Sequence, residues 1–210
     1  MANLISFIYL KLILKVQLVG KEKLTASQNQ GQFIYANHTQ AFGDVVMPLA
    51  VIPASNYYAI ASQANWGIPI LGKLVLPYFG LPVGHNLKEA SKLISAITTL
   101  IAKQKTIVIY PEAHVWPYYT QIRPFSATSM HFPIKLNTAS YAMTTTYQQP
   151  KSGKQGKRPQ IIVYLDGPFY PDPNLDNKHA QQKLHDQIVA AMQERAKLSN
   201  YDYCTYQKTN

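Results

Sequence analysis

The sequence predicts an α/β domain with a mainly parallel central sheet flanked by helices. Three observations carry this. Short apolar runs rich in β-branched and aromatic residues alternate with amphipathic stretches, the order of strand, helix, strand. No period of 20–50 residues repeats. No long linker divides the 210 residues, which suffice for one domain, residues 1–210, with a sizeable core.

The elements follow in chain order. The opening stretch "NLISFIYLKLILKVQLVG" is apolar but holds Lys11 and Lys15. It is shorter than the roughly 20 apolar residues a spanning helix needs, and no small-residue cleavage site follows. Residues 1–20 are therefore expected to form an apolar N-terminal helix lying in a membrane interface with snorkelling lysines, the alternative being a buried first helix or strand of the domain. "QFIYA" (32–36) reads as a buried strand and "DVVMPLAVI" (44–52) as the start of a helix, with Pro48 near its first turn. "YYAIA" (57–61) is a strand. "WGIPILGKLVLPYFG" (66–80) reads as short helical pieces or an apolar contact surface.

The stretch "NLKEASKLISAITTLIAKQ" specifies a helix most fully. Asn86 and Glu89 have capping-box spacing, and Ala90, Leu93, Ile94, Ile97, Leu100 and Ile101 keep a 3.6-residue period. "TIVIY" (106–110) suits a strand buried on both faces. "YAMTTTY" (141–147) and "QIIVYL" (160–165) are strands around a basic, turn-rich loop. A last helix runs from about Asn177 to Leu198, with Leu184, Ile188, Ala191 and Met192 on one face, before a polar tail at 200–210.

In such sheets ligands bind beyond the carboxyl ends of the strands. That rule selects "ANHTQAFGD" after the first buried strand and "PEAHVWPYYTQIRPF" after strand 106–110. The first holds Asn37, His38 and Asp44; the second holds Glu112, His114 and Arg123. A histidine held by a carboxylate is suited to act as a general base near neutral pH. The same residues at a helix start also serve as ordinary caps. The second strand end, with its own acid and histidine, favours catalysis.

Other chemistries lack their signatures. There is no nucleophile elbow, phosphate-binding loop or dinucleotide fingerprint. His38, Asp44, Glu112 and His114 lack the tight spacing of a zinc site. Cys204, the one cysteine, excludes an internal disulfide. The charge of +10 suits an anionic membrane surface or a phosphorylated ligand, and no nucleic-acid motif accompanies it.

In order, these motifs resemble the glycerolipid acyltransferases, whose best-known members are the 1-acylglycerol-3-phosphate acyltransferases. The family's first motif is Asn-His, four residues, Asp; "NHTQAFGD" is similar. Its third, Phe-Pro-Glu-Gly-Thr-Arg with a later Pro-Phe-Lys, resembles "YPEAH" and "RPFS". Ile68, Pro69 and Gly72 resemble an intervening "IP..G" patch. "HFPIKLNTASYAMTTTY" and "VYLDGPFYPDPN" resemble later segments, so the likeness runs from about residue 18 to 196.

The resemblance implies acyl transfer from a thioester, acyl-CoA or acyl-carrier protein, to a hydroxyl of a lysophospholipid or related glycerolipid. It implies no tightly bound cofactor or metal. His38 would be the base and Asp44 its orienting carboxylate. Asn37, Glu112, His114, Arg123 and His85 would bind substrate. The setting it implies is cytoplasmic, peripheral on the inner face of the cell membrane. A thioesterase-like hydrolase and a non-enzymatic basic membrane-binding protein are the alternatives.

Two departures stand out. Five residues, not four, separate His38 from Asp44. On a helix one added residue turns a side chain by about 100°, so a turn with φ > 0 at Gly43 is the expected remedy. Cations tied to phosphate recognition are also missing. Gly84 or His85 falls where the second motif has arginine, and Val115 and Ser126 stand where the third has arginine and lysine.

Overall fold

The computed structural model describes residues 15–27, 30–67, 73, 76–84, 86–150 and 158–207. Several residues the sequence singled out lie outside these: the N-terminal segment up to residue 14, Ile68, Pro69 and Gly72, His85, and most of the basic loop, at 151–157.

Seven strands form one sheet in the order β1-β7-β6-β2-β5-β3-β4. They are β1 (Gln17–Val19), β2 (Gln32–Ala36), β3 (Tyr57–Ala61), β4 (Gly80–Pro82), β5 (Thr106–Ile109), β6 (Ser140–Gln148) and β7 (Gln160–Phe169). Five run parallel; β7 lies antiparallel to β6, and β1 is parallel to β7. The end of the expected apolar N-terminal helix is thus an edge strand. Its pairing with β7 extends Gln17–Val19, a preference too non-local to read from an apolar run.

Strand β2 sits between β5 and β6 and is buried along its whole length. Its alternating side chains feed both layers of the core. Phe33 and Tyr35 pack with Ile107 and Ile109 under helix α3 (Leu87–Ala102) and helix α5 (Asn177–Ala196). Ile34 and Ala36 pack on the opposite face with Met47, Tyr57 and Val108. Burying Phe33 or Ile107 completely contributes roughly 1.5–3 kcal/mol each.

Helix α3 begins as its sequence predicts: the Asn86 side chain accepts the Glu89 backbone N–H at 3.0 Å. Only Ile97 of its apolar face is fully buried. The face of α5 extends further than expected, through Ala180 and Ala196, while Ala191 is half-buried. Short helices complete the structure: α1 (Gly43–Val46), α2 (Leu76–Phe79) and α4 (His131–Leu136).

The helix expected over 44–52 is broken. After α1 the chain tightens into a 3-10 turn, Met47–Ala50. Pro48 has no N–H, so it cannot donate back to the Asp44 carbonyl and the α-helical ladder stops. The expected polar tail also differs. Residues 199–206 turn back over the sheet end, and the Asn200 N–H donates to the Tyr147 carbonyl at 3.0 Å.

Candidate active site

Parallel pairing of β2 with β5, in the register Tyr35↔Ile109, ends both strands at one level. The chain after β2 therefore emerges beside the chain after β5, and the two predicted segments meet. The Trp116 N–H donates to the His38 carbonyl at 3.0 Å, and the Tyr118 N–H to the Thr39 carbonyl at 2.9 Å.

His38 and Asp44 come together. His38 Nδ1 lies 2.7 Å from Asp44 Oδ2, and that oxygen also accepts the Gln40 N–H at 2.8 Å. A carboxylate on Nδ1 leaves Nε2 as the basic nitrogen. No other group among the described residues bonds the His38 ring. Asp44 is 1% exposed. Burial pushes its carboxyl above the ordinary range, and bonds from His38 and the Gln40 and Thr39 backbone only partly offset this.

The extra residue between the two is absorbed, but not by a left-handed glycine. Gly43 has no positive φ. Instead the Asp44 N–H donates to the Gln40 carbonyl at 3.0 Å, closing one wide turn that sets Phe42 outward. Gly43 is needed for space: a Cβ there would stand 2.8 Å from Gln40 Cβ. A side chain would push on the residue whose N–H holds Asp44.

Tyr110 was not among the predicted site residues. Its hydroxyl donates to the Asp44 carbonyl, the acceptor that Pro48 leaves without a helical partner. Its ring packs on the His38 ring, centroids 4.6 Å apart. Burial, with Asp44 nearby, keeps the phenol protonated and able to donate. The signal was present in the sequence: a tyrosine hydroxyl in "YPEAH" and a proline four residues past Asp44.

Several residues expected to bind substrate make bracing contacts within the protein. The Asn37 side chain makes a two-bond clasp with the peptide of Thr145, at 3.0 and 2.8 Å. Glu112 accepts the His38 N–H at 3.2 Å and takes Arg123 through Nε at 3.1 Å and Nη2 at 2.8 Å. Arg123 also bonds the His114 carbonyl and lies over the Trp116 ring, 5.0 Å from its centre. The Arg123 guanidinium, expected to bind substrate, is thus paired with Glu112. His114 is exposed and lines the cavity beside His38.

That cavity has a volume of about 550 Å³, within the range of small-molecule sites. Apolar walls come from Tyr57, Ile60, Leu76, Phe79, Val83 and Ile109. Its polar lining comes from His38, Asp44, Ser62, Asn65 and His114, with no lysine or arginine among the described residues. Ala113, also lining it, stands at φ 65°, in the left-handed region where the family motif has glycine. Among the described residues no group of three His, Cys, Asp or Glu side chains could hold a metal ion.

No curated protein sequence matches the chain significantly. Among solved structures it is similar to the 1-acyl-sn-glycerophosphate (LPA) acyltransferase PlsC from Thermotoga maritima. The TM-score is 0.67 at 12% identity, covering 96% of this chain and 80% of that one. At that identity the likeness shows the fold. The acyltransferase family model matches residues 15–167, a span that holds His38, Asp44, Glu112 and the sheet that brings them together. With this match over most of its length, the chain belongs to the acyltransferase family.

Proposed function

We propose that the protein moves a fatty acyl group from a thioester, acyl-CoA or acyl-carrier protein, to a hydroxyl of a lysophospholipid or related glycerolipid. One observation carries this reading: the Asp44-held His38 lines a largely apolar cavity. His38 Nε2 takes the acceptor hydroxyl's proton as its oxygen attacks the thioester carbonyl. Asp44 stabilises the imidazolium. The tetrahedral intermediate then expels the carrier thiolate, which recovers the proton from His38. The products are an ester and a free thiol.

The apolar walls suit an acyl chain. Tyr78, 72% exposed on α2, and Val83, 42% exposed after β4, extend apolar surface near the cavity. With a charge of +10 this supports a peripheral site on the cytoplasmic face of an anionic membrane. Among the described residues no helix is long and apolar enough to cross one.

The test incubates the protein with radiolabelled palmitoyl-CoA alone, and then with lysophosphatidic acid, lysophosphatidylcholine or monoacylglycerol. Labelled lipid product with at least one acceptor, lost in His38→Ala, supports the reading. Thiol release without any acceptor and no lipid product would replace it with hydrolysis. Because Glu112 neutralises Arg123, the neutral acceptors are expected to compete with lysophosphatidic acid.

A further inference from the structure

We propose that the C-terminal segment 199–206 is a positioning element for His38, an aromatic strap that fixes the loop bonded to it. This rests on His38 being the catalytic base. The strap crosses the 116–120 loop at several points. Tyr206 stacks on Trp116, centroids 5.1 Å apart and planes within 11°. Its hydroxyl donates to the Pro117 carbonyl at 2.7 Å. Tyr203 meets Tyr118 edge-on at 4.7 Å. Asp202, beside Tyr203 in the chain, accepts the Thr120 hydroxyl at 2.9 Å.

This loop is the one whose Trp116 and Tyr118 N–H groups donate to the carbonyls of His38 and Thr39. Trp116 and Tyr118, the two residues that bond the histidine segment, are those the strap tyrosines cover. A second route starts at the same segment. Ser199 Oγ accepts the Tyr147 N–H at 3.2 Å, and Asn200 donates to the Tyr147 carbonyl. The Tyr147 hydroxyl donates to Thr39 Oγ1 at 2.7 Å and accepts the Gln40 side-chain amide at 3.0 Å. Both routes end in the segment from His38 to Gln40, in the turn to Asp44.

Aromatic pairs favour such edge-on and stacked geometries. A strap of this kind lets folding set the histidine's position, and small displacements of a base cost rate steeply. Trp116 and Tyr206 are each more than a third exposed, so their pairing is not explained by core burial alone.

The experiment uses the full chain carrying Tyr203→Ala with Tyr206→Ala, uniformly ¹⁵N-labelled. Expected is exchange of the His38 Nδ1 proton with water at least ~10-fold faster than in the parent, with α5 amides still protected. Turnover with palmitoyl-CoA is expected to fall about tenfold, with KM for the thioester within about twofold. Tyr206→Phe, which keeps the Trp116 stack, is expected to exchange as slowly as the parent, unlike Tyr206→Ala. If the double variant does not fold, Tyr206→Ala alone is read the same way. Unprotected tail amides with unchanged His38 exchange and turnover would overturn the proposal. A parent protein without transferase activity would sink the acyltransferase reading alone, since the exchange measurement still decides the strap.

Discussion

Asp44 Oδ2 lies 2.7 Å from His38 Nδ1 across five intervening residues, held there by the Gln40 N–H. The pair survives a one-residue insertion because the insertion closes into a turn before the helix starts. On a continuous helix the extra 100° would have separated them.

Asp44→Asn separates charge from shape. The amide fits the space but cannot stabilise the imidazolium, so turnover is expected to fall by about 10²–10⁴ in single-turnover acyl transfer. Stability should move the other way with pH. Burial raises the folded pKa of Asp44, so its favourable contribution is present below the ordinary carboxylate pKa. It is lost as pH rises through the folded value. Urea unfolding across that window should show a fall in the parent that is missing in Asp44→Asn.

Gly43→Ala tests the space requirement at the turn. The new methyl would meet Gln40 Cβ at 2.8 Å and Cγ at 3.2 Å. Gln40 is buried and its amide is bonded to Tyr147, so it has little room to yield. A loss of about 1–3 kcal/mol in chemical unfolding is expected, with turnover lowered more than KM is changed. A neutral result would show that the turn, not the glycine, carries the insertion.

Tyr110→Phe leaves the Asp44 carbonyl without its donor. Pro48 cannot replace it, so an expected cost of about 1–3 kcal/mol should appear in urea denaturation. His38 keeps its aromatic neighbour, so the loss reports on the hydroxyl.

Glu112→Ala leaves Arg123 beside the site without its counter-charge. Breaking a buried ion pair from one side typically costs about 3–5 kcal/mol. A double-mutant cycle with Arg123→Ala should return strong coupling. Weak coupling would mean that Arg123 is available to an acceptor after all.

Ala113→Gly should stabilise the protein. A non-glycine residue at φ 65° carries roughly 1–2 kcal/mol of strain, which glycine relieves. Thermal unfolding would show the gain, and acceptor competition would show whether the lost methyl widens the cavity.

Much of the scaffold was readable because local and global preferences agree. "QFIYA" and "YYAIA" become strands with the predicted bounds, and Asn86 caps as its spacing suggests. The convergence of His38 with Glu112 followed from the rule for parallel sheets. What escaped depends on contacts distant in sequence. The clasp of Asn37 to Thr145 joins residues 108 positions apart. Arg123 reads as a free cation until Glu112 is seen beneath it. The tail reads as polar because tyrosines alternate with polar residues, and the rings of Trp116, Tyr118 and Tyr119 give them a surface.

Both peptide flanks of His38 are hydrogen-bonded: its N–H to Glu112, its carbonyl to Trp116. The ordering entropy of the proposed base is therefore met once, during folding, rather than at each turnover. Warming should then leave activity intact until the sheet itself melts, so inactivation and unfolding should follow one curve.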